Sequence, residues 1–364
     1  QAPAAKPRGK LYHWKGYCVV QEMSTAKNVG LCIIFLLCML VSLQFADASA
    51  MSRDIVHGVV GYNELNSATP RFRLWNDSTA NFTAELNAQS VGTDGSADLS
   101  WVVLRPNHER DEIVMVTLDQ SNDVNVQVMN STRQWGNLLE VSSDVSNSAY
   151  RAFDVAVEDV SGDVLIVYEN SSSAANNGAA YRIWNGTAFS PEYALSTVLA
   201  NSPIRWIQLK PRTGSDDIMA LAHNNVGDLY SVLWNGTGFD TEHNVTLSAS
   251  TASNTAEHFS FAWEQSGQGL VAYGSAIDFV YRTFSLTAPY WSNEATIALS
   301  NGLHSTRLCS DMYSDYIGII VQDGGNDVNV RMWDGTVILG GSPTEELTTE
   351  PRGANNVNID CAWY

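Results

Sequence analysis

Tyr181-Arg182-Ile183-Trp184-Asn185-Gly186-Thr187-Ala188-Phe189 sets a short alternating run against an Asn-Gly break, the pattern of a strand entering a tight turn. Its first half recurs as Arg71-Phe-Arg-Leu-Trp75-Asn, Asn125-Val-Gln-Val-Met129-Asn, Tyr230-Ser-Val-Leu-Trp234-Asn, Tyr281-Arg-Thr-Phe284-Ser and Val330-Arg-Met-Trp333-Asp. The anchors, five aromatic residues and one Met, stand 54, 55, 50, 50 and 49 residues apart.

Each phrase sits at the same place in a longer unit. In the unit around Trp184, Phe153 to Glu158 alternates as a strand does, Val160-Ser-Gly-Asp163 is a turn, and Val164 to Tyr168 is an unbroken apolar run. Such a run fits a strand buried on both faces. Ala180 to Trp184 is the third strand, Asn185-Gly186 the hairpin (expected as a type I′ turn), and Phe189 to Leu195 the fourth. The order repeats in 204–247, 259–299 and 308–347, with a looser copy in 99–141. Four-stranded units at a period near 50 predict an all-β, six-bladed β-propeller, which leaves few exposed sheet edges.

The ends complete the count. Residues 356–364 match only a first strand, and Val56 to Leu86 supplies only the last three. The expected ring is therefore closed by pairing of the N-terminal and C-terminal strands. Its repeats run over about 98–148, 149–201, 202–252, 253–302 and 303–352, with 353–364 and 54–97 sharing a blade. Cys309 and Cys361 fall on neighbouring innermost strands, where a disulfide would pin the closure and two buried thiols are the alternative.

Upstream, Lys27 precedes the apolar run Leu31 to Phe45 and the small-residue stretch Ala46-Asp-Ala48-Ser-Ala50. That is the layout of a secretory signal over 23–50, cleaved after Ala48 or Ala50, with 1–22 a possible upstream extension and 51–364 the propeller. The run is short for a membrane span, so no stable span is expected after cleavage, and the destination is secretion or the cell surface. Sequons at Asn76, Asn81, Asn130, Asn170, Asn185, Asn235 and Asn244 can carry glycans in an exported chain.

Charge narrows the partners. Thirty-nine acids against 20 bases give a net charge of −19, whose field repels nucleic acid and anionic membrane surfaces. No GxSxG, P-loop, GxGxxG or HExxH occurs, and no Cys/His spacing suits zinc or haem. No catalytic residue and no cofactor are assigned.

Three sets of residues carry the functional expectation. Aligned at the start of the first strand, Arg151, Arg205, His258 and Arg307 fall on four successive blades and are expected to converge at the axial mouth. Guanidinium forks there suit a carboxylate, sulfate or phosphate, with Asp154, Glu257 and Asp311 as the compensating acids in a self-neutralised alternative. Arg73, Arg182, Arg282 and Arg331 each stand two residues before an anchor and so share its strand face. They are expected to stack on Trp75, Trp184 or Trp333 as cation–π pairs, in packing or in holding a sugar between blades. Asp119 to Asp123 and Asp323 to Asp327 are oxygen-rich loops, weak calcium candidates or plain Asx turns.

The phrase Tyr181 to Phe189 resembles the blades of secreted Trp-Asn/Asp-Gly propellers over nearly all of 54–364. Six-bladed fucose lectins are similar in blade size, and that resemblance implies sugar contacts from Arg182 with Trp184 and Arg331 with Trp333. The Glu that those lectins add is not visible in the motif. Sialidases also resemble the chain in blade number, and imply a substrate carboxylate held by Arg151, Arg205 and Arg307. Their Asp-box is absent, since Ser231-Val-Leu-Trp-Asn-Gly lacks the Asp. The expectation is an exported propeller that binds a glycan, another anionic ligand or an extracellular protein. A sialidase-like or polysaccharide-active hydrolase and a structural surface protein are the alternatives.

Overall fold

The computed structural model describes residues 56–92, 98–170, 178–195, 202–249, 251, 256–275, 278–297, 299, 303–325, 327–339, 345–348 and 359–363. The signal-like segment 23–50 lies outside them. The described residues form strands and turns, with no helix among them, in six antiparallel sheets. The protein is a six-bladed β-propeller.

Blade one is β5 (Leu99–Asn107), β6 (Glu112–Asp119), β7 (Val124–Met129) and β8 (Trp135–Ser142), following the N-terminal strands β1 (Val56–Tyr62), β2 (Arg71–Asn76), β3 (Asn81–Phe82) and β4 (Leu86–Asn87). Blade two is β9 (Phe153–Val157), β10 (Val164–Asn170), β11 (Gly178–Trp184) and β12 (Tyr193–Leu195). Blade three is β13 (Ile204–Pro211), β14 (Asp217–Asn224), β15 (Leu229–Asn235) and β16 (Phe239–Ser248). Blade four is β17 (Phe259–Trp263), β18 (Gly269–Ser275), β19 (Asp278–Phe284) and β20 (Ala295–Ile297). Blade five is β21 (Leu303–Ser310), β22 (Ile317–Asp323), β23 (Val328–Trp333), β24 (Ile338–Leu339) and β25 (Glu345–Thr348), the last two both pairing with β23. The N-terminal sheet β1–β4 is blade six, with its outer strand likewise in two pieces on β2.

The core lies between the blades. Val155, Val164, Ile166 and Tyr168 of blade two close on Val114, Val116 and Val126 of blade one, and similar layers join two to three, three to four and four to five. The buried second strands are what the continuous apolar runs foretold. Trp anchors reach back one blade: the Trp184 indole donates to Glu112 (3.1 Å), that of Trp234 to Glu158 (2.6 Å) and that of Trp333 to Glu264 (2.8 Å).

A second set of links runs around the axis. Asp154, Gln208, Ser260 and Arg307 hold the same place in β9, β13, β17 and β21, each opposite a second-strand residue that pairs three before an anchor. Asp154 accepts from the Leu209 amide (2.9 Å), Gln208 from Phe261 (3.0 Å) and Ser260 from Leu308 (3.1 Å).

The C-terminal segment repeats this scheme. Trp263 donates its indole N–H to the Lys210 carbonyl at 2.8 Å, and Trp363 donates to Cys309 at 2.8 Å from the equivalent offset. Cys309 and Cys361 form a disulfide with a Cα–Cα distance of 5.9 Å. Residues 359–363 thus dock on β21 as a first strand docks on its predecessor, although they carry no strand ladder, and 353–358 lie outside the described residues.

The hairpin expectation needs a correction. Gly186 and Gly236 have φ of +87° and +85°, but Asn185 and Asn235 are not in the left-handed region. A type I′ turn needs φ > 0 at both central residues. Trp184 instead bridges Phe189 across a four-residue loop, with Asn185 Oδ1 accepting from the Thr187 amide and hydroxyl and from the Ala188 amide.

Candidate functional site

At the axis, Arg151 and Arg307 come together, but on a carboxylate. Arg151 Nη2 donates to Glu257 Oε1 at 2.7 Å, and Arg307 Nη2 to Glu257 Oε2 at 2.8 Å. Burial would raise the Glu257 pKa, but Arg151 and Arg307 outweigh it and hold the group at about 2. Asp154 takes Arg105 at 3.1 Å and Arg151 at 3.4 Å. The two converging arginines are therefore neutralised by Glu257 and Asp154, the alternative stated above for that pair. Asp311, the third acid considered, caps its own turn through Tyr313 N and Ser314 Oγ.

Arg205 and His258 meet aromatic rings. Arg205 lies over the Tyr150 ring at 4.4 Å. His258 is fully buried against His223, ring centroids 5.1 Å apart. Burial pushes the His258 pKa down to about 4 and that of His223 to about 3, so both are uncharged at neutral pH. Of the four basic residues expected at the mouth, Arg151 and Arg307 share a counter-ion, and the four do not hold equivalent positions. Arg205 falls at a bulge of β13, between Ile204 and Trp206, and β21 has another between Leu303 and Ser305. Arg307 takes the position of Asp154, and Glu257 that of Arg151.

The second set of arginines organises a different site. In blade two, Tyr168 donates to Glu192 Oε2 at 2.8 Å and Arg182 lies 4.0 Å from the same oxygen. In blade four, Tyr273 donates to Glu294 at 2.8 Å with Arg282 beside it. In blade six, Tyr62 donates to Glu85 at 2.5 Å while Arg73 donates to the Tyr62 oxygen at 3.4 Å. Tyrosine comes from the second strand, arginine from the third and glutamate from the residue just before the fourth. Burial first, then the neighbouring glutamate, raises the Tyr168 and Tyr273 pKa values, so both hydroxyls stay donors.

The fourth strand is held in place by a shared clamp. Ile183 N donates to Ser190 Oγ (2.9 Å), Thr283 N to Ser292 Oγ (2.9 Å) and Leu74 N to Thr83 Oγ1 (3.1 Å). Arg182 and Arg282 also donate to the Ser190 and Ser292 carbonyls, at 2.9 and 2.7 Å. Arg182 and Arg282 thus bond the run into strand four and Arg73 bonds the Tyr62 hydroxyl, where stacking on Trp184 and Trp75 was expected. In blade five Val321 stands where blades two and four have the tyrosine. The glutamates were missed because their signal, Thr83-Ala-Glu85, Ser190-Pro-Glu192 and Ser292-Asn-Glu294, lies beyond the anchor and in only three repeats.

The remaining candidates are turns. Asp119 Oδ1 accepts from Ser121 N (2.9 Å) and Asp123 N (3.0 Å), and Asp323 Oδ1 from Gly325 N (2.8 Å) and Asp327 N (3.0 Å). Asn224 does the same for Val226 and Asp228, a third copy the sequence reading passed over. Among the described residues no three His, Cys, Asp or Glu side chains group so as to hold a metal ion. At the sequons, Asn130, Asn185 and Asn235 cap their own turns, and Asp334 makes the same bonds to Thr336 without being a sequon.

No protein family model matches the chain, and no curated protein matches it. Solved structures do. The BP39L lectin from Burkholderia pseudomallei is similar over 79% of this chain and 84% of its own, at 12% identity and TM-score 0.51. A fungal lectin from Aleuria aurantia, described as a six-bladed β-propeller with a novel mode of fucose recognition, covers 81% and 96% at 11% identity and TM-score 0.43. The AofleA protein from Arthrobotrys oligospora covers 82% and 88% at 9% identity and TM-score 0.43. The BP39L likeness is one of fold.

Proposed function

We propose that this chain is an exported propeller that binds glycans through the Tyr–Arg–Glu faces of blades two, four and six. The observation that carries it is the threefold recurrence of an arginine beside a part-exposed glutamate: the Arg182 and Glu192 side chains are 21% and 36% exposed. A guanidinium donates in a planar fork and a carboxylate only accepts, so adjacent sugar hydroxyls can be met by both at once. That the structure sharing the fold at TM-score 0.51 is a lectin supports the same reading. The neutralised axial arginines favour this face over the axial mouth.

A glycan array probed with the protein and with Arg73→Ala/Arg182→Ala/Arg282→Ala tests it. Selective binding lost in a folded triple variant is the expected result. A blank array from folded protein leaves a structural surface role, and turnover of a fluorogenic glycoside would turn the proposal toward a hydrolase. Export belongs to the same proposal: secreted protein is expected to begin at Ser49 or Met51 on N-terminal sequencing. A chain retained in the membrane with Leu31 to Phe45 intact contradicts that part.

A further inference from the structure

A cavity of about 500 Å³ opens at the far ends of the first strands, away from Arg205 and His258. Its walls include Lys210, Arg212, Trp263, Trp363 and the Cys309–Cys361 disulfide. Lys210 is the single lysine after Met51.

The other charges of this cavity are already engaged. Arg212 donates to Asp217 at 2.8 Å and lies over Trp263 at 5.9 Å. Glu264 accepts from Trp333 and Ser266, and Asp311 from Tyr313 and Ser314. The Lys210 ammonium has no hydrogen bond or ion pair within the described residues. Arg105 of β5 and Arg307 of β21 repel it, while Asp154 of β9 and Glu257 before β17 attract it, and both acids are shared with arginines. Trp363 lines the same cavity, 41% exposed, its ring held by the bond to Cys309.

We propose that the cavity binds a saccharide bearing a carboxylate, its anion on Lys210 and the apolar face of its ring against Trp363. The volume suits a mono- or disaccharide unit, and a cavity that holds both an exposed indole and one cation without a hydrogen-bond partner is the complement of a ring that is apolar on one face and anionic at one edge. The site is separate from the Tyr–Arg–Glu faces and does not depend on them. Burial, then the repulsion of Arg307, lowers the Lys210 pKa to about 8, which makes the site sensitive to mild alkali.

Tryptophan fluorescence and calorimetric titration of the protein with glucuronate and with neutral methyl glucoside test it. Glucuronate is expected to bind saturably, at least tenfold tighter than the glucoside, and about tenfold weaker at pH 9 than at pH 7 as Lys210 loses its proton. Lys210→Met is expected to lose tenfold or more of glucuronate affinity while keeping the array binding assigned to the Tyr–Arg–Glu faces, so the two sites fail independently. No saturable binding, equal binding of the glucoside, or an affinity indifferent to pH would overturn the proposal. The pH arm uses the unaltered protein and holds even if Lys210→Met folds poorly.

Discussion

Even and odd blades are built differently. Blades two and four open with short first strands, Phe153–Val157 and Phe259–Trp263, and share with blade six the Tyr–Arg–Glu face and the Ser/Thr clamp on strand four. Blades one, three and five open with longer strands irregular at Leu99/Trp101, Ile204/Trp206 and Leu303/Ser305, and cap the next hairpin with Asp119, Asn224 or Asp323. The repeat of about 50 residues therefore hides a unit of two blades. Odd blades use polar side chains to fix backbone turns, while even blades leave theirs part-exposed on a face. The ring is six-fold in packing and three-fold in chemistry.

The largest break in this pattern is expected at Glu257, where an even blade supplies an acid in the slot that blade two gives to Arg151. Glu257→Gln leaves Arg307 without its counter-charge and Arg151 with only the Asp154 it shares with Arg105, and a loss of about 3–5 kcal/mol is expected in chemical denaturation at pH 7. A loss below 1 kcal/mol would mean the axial charges are solvated.

A smaller effect of opposite sign is expected at Glu169, at the end of β10. It is fully buried and accepts from the Ser146 amide and hydroxyl at 2.9 Å, and burial raises its pKa to about 7 despite those bonds. The folded state holds this proton more tightly than the unfolded one, so stability falls as pH rises from about 4.5 to 7 and the cost is complete above that. Glu169→Gln is expected to gain about 2–3 kcal/mol at pH 8 and almost nothing at pH 4. Equal midpoints at pH 8 would contradict the burial argument.

The two blade types can then be set against each other. Asp323→Ala strips a buried cap from two hairpin amides and is expected to cost about 2 kcal/mol. Ser292→Ala removes one clamp bond, at a cost of about 1 kcal/mol, and is expected to weaken glycan binding by freeing Glu294. Asp323→Ala is expected to leave glycan binding unchanged. Reversed binding effects would place recognition on the odd blades.

Much of the fold was legible because the anchors and the apolar second strands are local patterns. Asp154 was recognisable as a counter-charge by its proximity in sequence to Arg151, and Glu257 by its place beside His258 in the aligned set, although it meets Arg151 and Arg307 from 106 and 50 residues away. The alignment of Arg151, Arg205, His258 and Arg307 did not hold: His258 stands one residue after the Arg151 position, which Glu257 takes, and Arg307 stands at the position of Asp154, because the starts of the first strands vary in length and carry bulges in β13 and β21. The Tyr–Arg–Glu face was half legible: Arg182 marked it, but Tyr168 looked like core and Glu192 like loop. Lys210 gave no pattern at all, since its setting depends on Arg105, Asp154, Glu257 and Arg307, which come from four other parts of the chain.

The central claim is that recognition follows the doubled unit. Calorimetric titration of the protein with a glycan selected on the array measures the number of sites directly. Three equivalent sites, falling to two in Arg182→Ala, are the expected result. Six sites, or a single site untouched by Arg182→Ala, would contradict it.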